Sequence, residues 1–148
     1  MNDMIFREIK DEDIAELFVV RVATDENNLS IDELRRLGIT EASVKEKLHT
    51  SFKGWLCEID STVIGFSMGD GCTGELWVMA VLPEYINQGI GSKLLKLVEE
   101  WMFEKGHYTL WLETDTNPKL RAYSFYKKHG WEDKEIKEGS RHMIKNRD

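Results

Sequence analysis

Gly89 and Gly91 stand two residues apart, with Ile90 between them and Ser92 and Lys93 directly after. They fall where the loop after an apolar run becomes an amphipathic helix. The first amides of a helix have no internal acceptor, and the helix dipole adds positive potential there. A diphosphate can take those amides when no Cβ blocks its approach, which is what two glycines around an apolar anchor allow. A glycine turn that binds nothing has the same spacing. Two nucleotide readings do not fit. A dinucleotide fingerprint needs a third glycine where Leu94 stands and a first glycine tight against the strand, whereas residues 83–88 intervene. A mononucleotide loop needs a glycine-lysine-hydroxyl run, which the chain lacks. A second chemical candidate is Glu75, which opens the otherwise apolar run ELWVMAVL. An acid there is costly unless exposed or useful. Glu113, on the next apolar run, is the reserve.

These residues need elements to hold them. Residues 75–82 read as a central buried strand ended by Pro83. Residues 89–105 read as a helix with Ile90, Leu94, Leu97, Val98, Trp101 and Met102 on one face and Lys93, Lys96, Glu99, Glu100 and Glu104 on the other. Residues 109–113 follow as a strand, closing a βαβ unit. Upstream, residues 5–10 alternate as a half-buried strand does. Asp11 or Asp13 can cap a helix through Arg21, and two short helices begin after Ser30 and Thr40. Residues 55–59 and 63–68 form a hairpin through an Asp-Ser-Thr turn, and residues 69–74 form a second turn. Downstream, a helix over 119–129 ends at Gly130, with Leu120 and Phe125 inward. Two weak strands over 131–136 and 140–144 finish the chain. The expectation is one α/β domain over residues 1–148, a mixed sheet of about seven strands flanked by about four helices.

Bulk properties narrow the function classes. The chain has 148 residues, of which 41% are apolar and 32% charged, a composition that can bury one core. Its formal charge of −7 makes nucleic acid a poor partner. The charge is uneven, with 11 basic and 21 acidic side chains in residues 1–114 against 9 and 6 in residues 115–148. No apolar run has the length of a membrane span. The first fourteen residues lack the basic-then-apolar pattern of a leader. Cys57 and Cys72 are too few and too far apart for a metal knuckle, and the four histidines are scattered. The expectation is a cytoplasmic chain with reduced thiols and no metal.

The glycine segment, VLPEYINQGIGSKLLKLVEEW, resembles the acyl-CoA-binding core of the GCN5-related N-acetyltransferases. Residues 122–131, AYSFYKKHGW, are similar to that family's second signature, and the order of elements also matches. The resemblance covers essentially the whole chain and implies direct transfer of an acetyl group from acetyl-CoA to an amine. It implies that main-chain groups of Met79, Ala80 and Val81 hold the pantetheine like an added strand. It further implies that Gln88, Gly89, Ile90, Gly91, Ser92 and Lys93 surround the diphosphate. Asn117 either bonds the pantetheine or starts the following helix. Glu75, six residues before Val81, matches the base of the family's histone-type members. Tyr126 takes the position of the tyrosine that protonates the leaving thiolate, its alternative being an aromatic of the core. One departure is Ile86, where the family usually has Gln or Arg. It gives the only support to the other reading of the same fold, a non-catalytic acyl-CoA sensor. The acceptor, a small amine or a peptide or protein amine, is open. Asp25 and Glu26, in the region that builds the acceptor wall, are either cation-binding groups or loop residues. A homodimer is an expectation of the family alone.

Overall fold

The structure, a computed structural model, describes residues 3–24 and 29–148; Asp25 and Glu26 lie outside the described residues. The seven strands are β1 (Met4–Glu8), β2 (Phe52–Ile59), β3 (Thr62–Asp70), β4 (Glu75–Val81), β5 (Thr109–Thr114), β6 (Glu132–Lys137) and β7 (Ser140–Asn146). They form one sheet in the order β1-β2-β3-β4-β5-β7-β6. Five α-helices are described, α1 (Ile14–Val22), α2 (Ile31–Arg36), α3 (Glu41–Leu48), α4 (Ile90–Glu104) and α5 (Arg121–Lys128). This is the mixed seven-stranded architecture read from the sequence, with five α-helices among the described residues where about four are expected. α2 and α3 each have their own capping box, Ser30 with Glu33 and Thr40 with Ser43.

Asp13 does something other than cap α1. Its carboxylate accepts two hydrogen bonds from Arg7 at 2.9 and 2.8 Å and one from the Lys10 amide at 2.7 Å. The Arg7 guanidinium holds that carboxyl below the usual range. The bidentate pair ties β1 to the start of α1. The hairpin strands also run longer than the alternation implies. β3 continues to Asp70, whose carboxylate accepts from the Cys72 amide at 2.9 Å and closes the turn into β4.

The sheet divides between β4 and β5. Every other neighbouring pair is antiparallel, whereas β4 and β5 are parallel and share only the register pair Glu75↔Trp111. Beyond Glu75 the two strands part. An irregularity in β4 accompanies the split: Met68 opposes Val78 and Gly69 opposes Leu76, which leaves Trp77 unopposed. Such a bulge bends its strand and increases its twist. Two apolar layers hold the halves. On one face Leu76 of β4, Leu110 and Leu112 of β5 and Met143 of β7 pack against Leu95, Val98 and Met102 of α4, with Tyr126 of α5 and Trp131. On the other, Ile14, Leu17 and Val20 of α1 and Val44 of α3 cover Leu56, Phe66 and Met68.

Candidate active site

Where β4 and β5 separate, a cavity of about 610 Å³ opens over the starts of α4 and α5. That lies within the usual range for a small-molecule site. Met79, Ala80 and Val81 line it from β4, and Ile86, Asn87, Gly89, Gly91 and Ser92 from the turn into α4. Phe125, Tyr126 and His129 line it from α5, and Thr24 from the end of α1. The β5 side of Met79–Val81 has no ladder partner. Backbone polar groups left open in this way suit an extended amide-bearing ligand.

The turn is built for an anion. Asn87 and Gly89 both have left-handed backbone, with φ of 68° and 80°. Gly89 is the N-cap of α4 and supplies no side-chain cap, and the helix has no acid in its first turn. The α2 and α3 N-termini, by contrast, carry both a side-chain cap and an acid. The first amides of α4 therefore meet the cavity with no protein acceptor of their own. Ile90, 1% exposed, anchors the turn among Cys57, Ile64 and Leu94. A Cβ at Gly91 would lie 3.4 Å from Phe125 and 3.6 Å from Met79, within the space where a chain would have to pass. Ser92 Oγ lies 3.0 Å from His129 Nε2, which ties the first turn of α4 to the end of α5. Burial lowers the His129 pKa, so the imidazole is neutral at physiological pH. These donors fit the diphosphate and amides of coenzyme A.

Tyr126 is 9% exposed, its ring held between Phe125 at 5.7 Å and Trp131 at 6.0 Å. Burial, with a smaller contribution from Glu99, pushes its pKa up to about 12, so the hydroxyl keeps its proton. The helical pattern puts Glu99 on the solvent face of α4, and the structure corrects this. The carboxylate is buried, accepting from Trp131 Nε1 at 2.8 Å and from Lys145 Nζ at 2.8 Å. Lys145 also donates to the His129 carbonyl at 2.8 Å. One buried acid thus ties together α4, the end of α5 and β7 behind Tyr126.

Glu75 lies outside the cavity lining, at the closed end of the fork. Burial, then the nearby Glu113 and Asp70, push its pKa up to about 7, with Lys47 opposing. The β-strand rise separates its Cα from that of Met79 by about 13 Å.

A model of the acetyltransferase (GNAT) family matches residues 32–131. The chain belongs to that family. Crystal structures of GNAT relatives share its fold from end to end. A PaiA N-acetyltransferase from Thermoplasma acidophilum, in complex with coenzyme A, superposes with a TM-score of 0.85 at 21% identity, over 98% of this chain and 99% of that one. The ribosomal-protein-S18-alanine N-acetyltransferase of Escherichia coli gives 0.76 at 17%, over 97% and 94%. Ard1 from Thermoplasma volcanium gives 0.73 at 18%, over 97% of each. No curated protein matches the sequence.

Several residues read from the GNAT signatures do not face the cavity. Lys93 turns its ammonium over the Phe6 ring at 4.4 Å, and Gln88 lies outside the cavity lining. Asn117 does not start α5, whose N-cap is Leu120; its side-chain oxygen accepts from the Lys119 amide at 3.0 Å. In exchange the structure adds Thr24, Phe125 and His129. Phe125 and His129 lie inside the second signature segment, where nothing in the residue types singles them out for the cavity. Among the described residues there is no metal-holding cluster and no helix long and apolar enough to cross a membrane.

Proposed function

We propose that residues 1–148 form a cytoplasmic N-acetyltransferase domain that moves an acetyl group from acetyl-CoA to a primary amine by direct attack in a ternary complex. The uncapped glycine start of α4, beside the unpaired half of β4, carries this reading. Amides of Ile90, Gly91 and Ser92 hold the diphosphate, and main-chain groups of Met79–Val81 hold the pantetheine in the fork. Two unpaired cysteines are in keeping with the compartment.

The amine nitrogen attacks the thioester carbon, a C–N bond forms, and the C–S bond breaks. An alkylammonium in water has a pKa of about 10.4 and must lose a proton first. Glu75, poised at about 7, takes it through water along the acceptor side of the fork. The departing thiolate resembles that of cysteine, whose ordinary pKa is about 8.5. A tyrosine at about 12 is the weaker acid. Tyr126 therefore stabilises the developing thiolate as a hydrogen-bond donor, and the proton that finally settles on sulfur comes from the amine by way of solvent. The test is free-thiol release from acetyl-CoA over an amine panel. Release that depends on an amine supports the transferase. Tight CoA binding with no amine-dependent release would leave a sensor instead.

A further inference from the structure

Six lysines and arginines among the described residues are buried or half-buried: Arg7, Arg21, Lys47, Lys53, Arg141 and Lys145. Four of them hold a carboxylate, Arg7 at 2.8 Å, Lys53 at 3.2 Å, Arg141 at 2.9 Å and Lys145 at 2.8 Å. Arg21 and Lys47 make no such pair among the described residues, in a chain with seven more acids than lysines and arginines, although Lys47 lies near enough to Glu75 to oppose the rise in its pKa. Both instead face one indole. The Arg21 guanidinium lies 5.7 Å from the Trp77 ring, and the Lys47 ammonium lies 5.1 Å from it and 4.6 Å from Phe52. Phe52 and Trp77 meet edge to face at 5.6 Å. Arg21, half-buried with no carboxylate partner among the described residues, is the costly one of the two, and burial lowers its pKa accordingly.

The place of this pair matters. The β4 bulge puts Trp77 on the face covered by α1 and α3, two residues before cavity-lining Met79. Arg21 is three residues before Thr24, whose hydroxyl donates to the Arg21 carbonyl at 3.1 Å and which also lines the cavity. Neither cation lines the cavity itself; Lys47 lies near Glu75, at the closed end of the fork, and Arg21 shares the Trp77 ring with it. Resting on the transferase reading, we propose that the acceptor is a small primary amine that also carries a carboxylate. The carboxylate docks on Arg21, with Lys47 as the second cation, across the Trp77 face, while the amine points toward the thioester. Arg21 is then the residue that determines acceptor class.

The experiment measures kcat/KM for acetylation of amines offered in pairs, each amino acid against its own primary amide, with short diamines alongside. The unaltered chain should prefer the acids by about tenfold to a hundredfold, the range for a charge-assisted hydrogen bond. Arg21→Gln should bring the acid-to-amide ratio to near one, and Arg21→Lys should keep part of it. A merely structural Arg21 would lower both members together and leave the ratio, as would partial unfolding. Amides or diamines used as well as the acids, or a ratio unchanged in Arg21→Gln, would overturn the acceptor class alone. No acetylation of any amine would overturn the transferase reading and this inference with it.

Discussion

Glu75 faces opposing demands. Half-buried beside Glu113 and Asp70, it keeps its proton up to about pH 7, well above the ordinary glutamate value of 4.5. As a base it works only when ionised, so kcat/KM should rise with pH through about 7. Glu75→Gln should give a lower profile without that limb, measured across pH with a saturating amine. The stability effect runs the other way. Because the folded pKa is raised, the folded chain holds a proton that the unfolded chain releases between 4.5 and about 7, and stability falls as pH rises through that window. Glu75→Gln should therefore melt higher than the unaltered chain at about pH 8 and alike at about pH 4, by calorimetry. Tyr126→Phe, which removes the donor to the developing thiolate, should lower kcat by about 10²-fold or more while leaving CoA affinity nearly unchanged. Near-normal turnover would remove the hydroxyl from the mechanism. The tyrosine is legible in the sequence because it sits inside a signature segment. Glu99 is not, because its partners Trp131 and Lys145 lie 32 and 46 residues away and hydropathy alone places a glutamate outside. Glu99→Leu, which strands Lys145, should cost about 3 kcal/mol in urea denaturation.

At the scale of elements, α4 joins the site to the core. Its apolar stripe identifies the helix, and its bounds differ from the sequence reading by one residue at each end. Its N-terminus is legible as a glycine turn, yet the left-handed Asn87 and the absent cap depend on backbone geometry that residue types only permit. Gly89, at φ 80°, has open space beside it, so a side chain there meets backbone strain rather than a clash. Gly89→Val should cost about 1–3 kcal/mol of local strain and turn the first amides away from the diphosphate. CoA affinity by titration calorimetry should fall by tenfold or more, while helix content by circular dichroism stays the same. The fork itself is not readable from residue types. β4 and β5 are both apolar runs of ordinary length, and parallel pairing is the simplest expectation. The Trp77 bulge, set by pairing with β3, accompanies their parting. The same bulge puts Trp77 on the face where Arg21 and Lys47 lie, so the proposed acceptor side has no signal in the sequence.

For the whole molecule, the sheet is two halves joined by one backbone register pair and by the helix layer that spans them. A ligand seated in the fork bridges the halves and binds only the folded chain. At a hundredfold excess over its Kd, such a ligand adds about 2.7 kcal/mol, which for a domain of this size raises the melting temperature by about 5–10 °C. The central claim is that this fork and its glycine turn form an acyl-CoA site. The measurement that tests it most directly is thermal unfolding with coenzyme A, with NAD, and with neither, on the unaltered chain and on Gly89→Val. Coenzyme A should raise the melting temperature of the unaltered chain, NAD should not, and Gly89→Val should lose most of the shift. Stabilisation by NAD without any by coenzyme A, or a full coenzyme A shift in Gly89→Val, would contradict the account.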